Sequence, residues 1–326
     1  MRAARTLTLD STVIEEVDDP VCGPGEVICR VVACATCGSD VHGWYVRRKL
    51  PAVLGHEPAG EVVQVGSGVQ RVAAGDVVAI HHHAACGTCR TCAAGHETLC
   101  PQFRATRLDP GGFAEYVRLQ AELVDELLPL DGLDPVIATC TEPLACALRA
   151  QDRVALGPGD TLLVVGAGTS GLLHVGAARA RGVERVLVAE PRRERRERAV
   201  AWGAETYEEG ERVDVAIATS HHPDAIASAA AALGPGGRLC AYAPPEPGAP
   251  IAVDGAELFL RELTVTSSWS AGSADMQAAL DLLQAGALRA AELITHRFGL
   301  QETGAALAAQ RDGTALKAVV LPWGEL

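Results

Sequence analysis

Thr161-Leu162-Leu163-Val164-Val165-Gly166-Ala167-Gly168-Thr169-Ser170-Gly171 is the stretch that decides the fold. Thr161 to Val165 reads as one buried strand. The three glycines that follow match G-x-G-x-x-G, and an Ala/Leu-rich helix is predicted from there to about Arg181, with Gly182 where a helix C-terminal glycine belongs. Glu190 lies 19 residues beyond Gly171, at the end of the next predicted strand. Glycine-rich turns are common, and strand-turn-helix units do not all bind ligands. Here the acidic residue at this distance adds a second feature. Gly166, Gly168 and Gly171 let the backbone approach a pyrophosphate, Thr169 and Ser170 open the helix whose N-terminus faces that anion, and Glu190 accepts from ribose hydroxyls. A carboxylate at that place repels a 2′-phosphate and predicts NAD. Arg192 and Arg193 follow at once and keep NADP open as the alternative.

Outward from this stretch, strands are expected at Arg185 to Ala189, Val213 to Ala218, Arg238 to Tyr242 and Leu263 to Ser267, with helices at Arg192 to Trp202 and Pro223 to Leu233. Strands alternating with helices predict a parallel sheet covered on both faces. Upstream, the Val/Ile runs Val27 to Val32, Glu61 to Val65 and Val77 to Ile80 are broken by Gly, Pro and Asp and predict a β-rich region. Downstream come a helix at Ala274 to Ala285 and a closing strand at Ala318 to Leu321. A chain of 326 residues, 48% hydrophobic but only 4% aromatic, calls for two domains with cores of small aliphatics. Its net charge of −13 argues against nucleic acid or an anionic membrane surface as partners, and no apolar run reaches the ~18 residues of a membrane span. The opening Met1 to Arg5 leads into a polar segment rather than a signal-peptide core, and the expected compartment is the cytoplasm.

Eleven cysteines under reducing conditions point to metal or chemistry rather than disulfides. Cys86, Cys89, Cys92 and Cys100 leave gaps of two, two and seven residues and can close a tetrahedral thiolate shell around a structural zinc. An iron-sulfur cluster satisfies the same ligand type, and Pro101 after Cys100 is its one supporting feature. His81, His82 and His83 just upstream read as a strand end leading into the lobe.

Cys37-Gly38-Ser39-Asp40-Val41-His42 and Gly55-His56-Glu57 are each unremarkable alone. Together with a dinucleotide site and a zinc lobe they supply metal ligands, in Cys37 and His56, and a hydroxyl and an imidazole for proton transfer, in Ser39 and His42. Cys34 forms a C-x-x-C pair with Cys37, and a redox dithiol is the competing reading; nothing thioredoxin-like surrounds the pair. With Thr141-Glu142-Pro143-Leu144 and the glycine loop, in this order, these motifs resemble the zinc-containing medium-chain dehydrogenase/reductase family along essentially the whole chain, nearest its polyol and threonine dehydrogenase branch.

The resemblance implies an α/β protein: a barrel-like, GroES-like catalytic domain from residues 1–145 and 269–326, with the zinc lobe at 86–100, and a doubly wound Rossmann domain at 146–268. It implies two zinc ions per chain, NAD, and a reversible hydride transfer between a secondary or polyol-like alcohol and the nicotinamide, in a dimer or tetramer. Cys37 and His56 hold the catalytic zinc, Asp40 orients His56, and Glu142 stands where many relatives place a third cysteine. Glu57 is a second carboxylate able to ligate or exchange with water. Ser39 takes the alcohol proton and passes it by way of the nicotinamide ribose to His42. Cys140, two residues before Glu142 on a stretch read as strand-like, stays open as a ligand by parity. A family reductase working without catalytic zinc, and a non-catalytic zinc and nucleotide module, are the rival functions. Trp44, Tyr45, Arg47, Arg48 and Lys49 lie near the substrate by resemblance. They fit either a polar or anionic alcohol or a solvated basic loop.

Overall fold

A computed structural model describes residues 1–251 and 253–324. It forms two compact units, one of residues 1–142, 272–286 and 290–326, the other of 143–271 and 287–289.

The first unit opens with the hairpin β1 (Arg2–Thr8) and β2 (Ser11–Glu16), then β3 (Val27–Ala35), the short helices α1 (Gly38–Val41) and α2 (Gly43–Arg47), and β4 (Ala52–Val53). Strands β5 (Glu57–Val65) and β6 (Val77–Ile80) lead into a lobe containing α3 (Arg90–Ala93) and α4 (Pro101–Ala105). Strands β7 (Tyr116–Leu119) and β8 (Leu127–Pro129) follow, then α5 (Pro135–Ala138) and α6 (Thr141–Arg153). The boundary between the units falls inside α6, after Glu142.

The second unit is a six-stranded sheet of β9 (Thr161–Val165), β10 (Arg185–Ala189), β11 (Glu205–Thr206), β12 (Val213–Ala218), β13 (Leu233–Ala241) and β14 (Thr264–Ser267). Between the strands run α7 (Thr169–Ala180), α8 (Arg193–Ala201), α9 (Pro223–Ala232) and α10 (Gly255–Leu260). Every pairing is parallel, in the order β11-β10-β9-β12-β13-β14. This is the doubly wound dinucleotide-binding order, whose direction reverses between β9 and β12. Those two central strands are almost wholly buried aliphatics, as a sheet covered on both faces requires. β13 starts five residues earlier than its sequence suggests. Leu233 already pairs with Val213, and the Gly234-Pro235-Gly236-Gly237 run is taken up as an irregularity within the strand rather than ending it.

The chain then returns to the first unit with α11 (Ser273–Gln284), β15 (Ile294–Gly299), α12 (Thr303–Asp312) and β16 (Lys317–Leu321). The large sheet of that unit runs β15-β16-β3-β5-β6-β8, with β7 also on β3, and is antiparallel except for β15 with β16. Its core joins Val27, Cys29, Val31, Val62, Val78, Phe113, Val117 and Val320, all buried. β5 begins at Glu57, four residues earlier than the Val run implies, and Glu57 pairs with Ala35. The end of β3 and the start of β5 therefore meet, which brings residues 37 and 56 together. Among the described residues no helix is long and apolar enough to cross a membrane.

Candidate active site and metal centres

Cys37 follows β3 and caps α1: its Sγ accepts from the Ser39 amide at 3.5 Å, while Asp40 Oδ2 accepts from the Cys37 amide at 3.0 Å. This reciprocal cap fixes a four-residue helix that would not persist alone. Gly55 turns the chain into β5 with φ +91, and a side chain there would collide with Cys34 Sγ and the Phe113 backbone. Cys34 is thus a packing atom beneath the turn, fully buried, its thiol raised well above the usual range by burial. His56 leaves the turn with Nδ1 3.2 Å from Asp40 Oδ1 and Nε2 3.5 Å from Ser39 Oγ. Donor atoms of Cys37, His56 and Glu57 all lie within 4.8 Å of one another, as a metal shell requires.

The electrostatics suit a cation. Burial alone would depress the His56 imidazole, yet Asp40 and Cys37 outweigh it and hold its proton well above the usual range. The same two groups that attract a proton attract a metal to Nε2, because Asp40 occupies Nδ1 and sets the tautomer. Asp40 is itself raised by burial but lowered more by His56 and by the Cys37 amide, so it stays ionised. Glu57 is wholly buried and burial pushes its carboxyl up to about 7, although Lys317 Nζ lies 2.5 Å away. Lys317, equally buried on β16, also donates to the Thr36 carbonyl at 3.3 Å.

Glu142 sits in the first turn of α6, buried, outside the trio whose donor atoms converge, and its charge is felt at Glu57. The strand-like reading of 140–142 is corrected: a turn and a helix occupy the stretch, so parity says nothing about Cys140. Cys140 is fully buried with its thiol raised to about 12 by burial. His42 closes α1 and opens α2, its ring edge-on to Trp44 at 5.9 Å.

In the lobe, the four sulfurs of Cys86, Cys89, Cys92 and Cys100 lie within 4.8 Å of one another, with Cys89–Cys92 and Cys86–Cys100 each at 3.5 Å. Four sulfurs at ~2.3 Å from one zinc stand about 3.8 Å apart, so the preformed cluster fits a closed tetrahedral shell. In the second unit, Gly166 has φ +102, and a side chain on Gly171 would overlap the Gly166 carbonyl. Gly168 caps α7, whose amides from Thr169 and Ser170 open at the strand-order reversal. Glu190 closes the loop, accepting from the Ala167 amide at 2.8 Å and the Arg192 amide at 2.9 Å.

Comparison with known proteins matches residues 23–129 to the alcohol dehydrogenase GroES-like domain and residues 171–285 to the zinc-binding dehydrogenase domain. The sorbitol dehydrogenase of Bacillus subtilis is 31% identical over 99% of this chain and 97% of its own. The chain belongs to the zinc-containing medium-chain dehydrogenase family. An L-threonine 3-dehydrogenase of Pyrococcus abyssi is 38% identical over 69% of this chain and 70% of its own. A solved structure described as a short chain alcohol dehydrogenase from Escherichia coli CFT073, complexed with NADH, is 26% identical with a TM-score of 0.87, covering 98% of this chain and 99% of that one.

Three residues of this dehydrogenase escaped sequence reasoning. Lys317 lies in an apolar closing strand, and only the pairing of β16 with β3 brings it to Glu57. Arg195 reaches over Gly168 from α8, one turn beyond Arg192, where helical spacing could have pointed to it. The histidine triplet follows β6 into the lobe as its sequence suggests, but its three rings go separate ways. His81 binds Glu126 and His83 the Thr106 carbonyl, whereas the His82 ring packs 5.1 Å from His56.

Proposed function

We propose that this chain is a zinc-dependent, NAD-linked dehydrogenase that oxidises a secondary or polyol-like alcohol reversibly to the carbonyl. The observation that carries the reading is His56, held by Asp40 on Nδ1 and offering Nε2 beside Cys37 and Ser39. Bound zinc supplies a Lewis acid that lowers the hydroxyl pKa, and bound nicotinamide accepts the hydride. Cys37 and His56 hold that zinc, with Glu57 and Glu142 as the exchangeable carboxylates, and Asp40 keeps the imidazole in its ligating tautomer. Ser39 Oγ takes the hydroxyl proton as the C–H hydride departs, and His42 delivers it to solvent. Cys86, Cys89, Cys92 and Cys100 hold a second zinc that stiffens the lobe. Gly166, Gly168, Thr169, Ser170 and Gly171 receive the pyrophosphate, and Glu190 selects NAD. Arg192 and Arg195 support NADP as the second reading, since the Arg192 amide binds Glu190 and Arg195 reaches over Gly168.

We assign the protein to the cytoplasm, where cysteines that form no disulfide persist, and to a homo-oligomer. Among the described residues the edge strand β14 has no partner on its outer side in the sheet order, and Val265, Phe259 and Leu260 near it are exposed at 37%, 81% and 74%. A second copy would cover them. The test is nicotinamide absorbance with a panel of secondary alcohols and polyols, before and after chelation, with zinc counted in the same sample. The reading expects two zincs per chain and activity lost when the catalytic one is stripped. Full activity with one zinc or none refutes it.

A further inference from the structure

We infer that the two metal centres of this chain are coupled: the closed four-thiolate lobe holds His82 against His56, and His82 is the positioning residue through which the lobe steadies the catalytic metal's imidazole ligand. The coupling rests on the two-zinc dehydrogenase reading and gives the lobe a part beyond stiffness.

Between the end of β6 at Ile80 and Cys86 the chain has no regular structure, so no sheet bond fixes it. It is held instead against the segment that leaves the lobe. His83 Nδ1 donates to the Thr106 carbonyl at 2.8 Å, and the Ala84 amide donates to Thr106 Oγ1 at 3.0 Å. Phe103 of α4, fully buried, lies against the rings of His83 at 4.6 Å and His81 at 5.9 Å. At the far end the Cys86 amide donates to Cys100 Sγ at 3.5 Å, and the two sulfurs are themselves 3.5 Å apart. Residues 83–86 and 100–106 thus run back against each other, and one metal shared by Cys86 and Cys100 fastens them.

His82 lies at the open end of this clasp. On one side His81 is fully buried with its Nδ1 3.2 Å from Glu126; on the other His83 is tied to Thr106. The His82 Nδ1 makes no hydrogen bond among the described residues, so its two neighbours in the chain place the ring. That ring packs 5.1 Å from His56, tilted by 58°. Asp40 holds His56 at Nδ1 alone, at 3.2 Å, and an imidazole held at one atom can swing about that bond. A ring packed against it removes the swing and keeps Nε2 aimed beside Cys37. With the lobe open, His83 and Ala84 lose their fixed partner, His82 keeps one anchor of two, and His56 loses its wall.

The experiment follows zinc release from the two-zinc protein to a colorimetric chelator. Two phases are expected, the open shell emptying before the thiolate shell. His82→Ala should speed the first phase at least about fivefold and leave the second unchanged, whereas a fold loosened as a whole would speed both. His82→Phe keeps a flat ring and should restore most of the parent rate. Cys86→Ser, which weakens the thiolate shell, should speed the first phase in the parent background and have no further effect on it in His82→Ala. Thr106→Val loosens the same segment with all four thiolates in place; it carries the same expectation and replaces Cys86→Ser should that variant not fold. A first phase indifferent to His82→Ala, a His82→Phe variant as fast as His82→Ala, or a lobe variant whose effect is the same with and without His82 overturns the coupling while both metals stand. Fewer than two zincs in the parent protein refutes the two-zinc reading and the coupling with it.

Discussion

Replacing Lys317 with methionine isolates a fully buried ion pair of the first unit. The ammonium and the Glu57 carboxylate lie 2.5 Å apart with side-chain exposures of 2% and 0%. At an effective dielectric of ~20 their attraction is about 7 kcal/mol. Desolvating the two ions costs several kcal/mol each, so the intact pair contributes little net stability. Removing one partner is different, because the carboxylate is left buried and unpaired at a cost of about 3–5 kcal/mol. For a unit of this size each kcal/mol shifts the melting temperature by ~2–4 °C, giving a fall on the order of 10 °C. Without Lys317, burial of Glu57 is unopposed and its pKa rises further above the unfolded value. Such a group contributes stability below the unfolded pKa and loses it as pH rises. The deficit of Lys317→Met should therefore be larger at pH 8 than at pH 5. The double variant Lys317→Met, Glu57→Gln removes both charges and should recover more than half of the loss. The assay is thermal unfolding of zinc-replete protein at both pH values. A single variant melting within about 2 °C of the parent, or a double variant as unstable as the sum of the singles, refutes the reasoning.

Ser39→Ala should lower turnover about 10²–10⁴-fold with zinc content and cofactor affinity retained; unchanged turnover with chemistry rate-limiting removes Ser39 from proton transfer. Glu190→Ala should raise the ratio of NADP to NAD specificity constants, and it should also weaken both cofactors, because the carboxylate ties the Ala167 and Arg192 amides. A ratio that does not move shows that Arg192 and Arg195 already decide the preference. His174 is buried in α7 with its pKa lowered to about 3 by burial alone. A depressed histidine contributes stability above its unfolded pKa and loses it as pH falls. Its share between pH 7 and pH 5 is about 2 kcal/mol, and His174→Leu should flatten the acid limb of the stability curve by that amount in denaturant titrations at the two pH values.

The glycine loop, the cysteine spacing and the clustered motifs are local, and local features are written in order along the chain. The Rossmann strand order follows from alternating apolar runs and helices because parallel crossovers leave few alternatives. The four lobe cysteines lie within fifteen residues, and chain length alone keeps their sulfurs close enough to share one metal. Cys37, Asp40 and His56 were legible because their motif travels as a unit in the family the chain resembles. Three other features belong to the tertiary structure. Lys317 is 260 residues from Glu57, and nothing in an apolar closing strand marks it until β16 lies against β3. The histidine triplet looks uniform in sequence, yet the irregular segment after β6 sends His81 to Glu126, His83 to a backbone carbonyl and His82 against His56. Glu142 enters on a helix rather than a strand, because the Pro143 that suggests a break is accommodated in the first turn, where a missing amide costs nothing. Spacing determines which ligands can share a metal. Only packing decides which charges are buried beside them, because burial depends on every element that closes over the site.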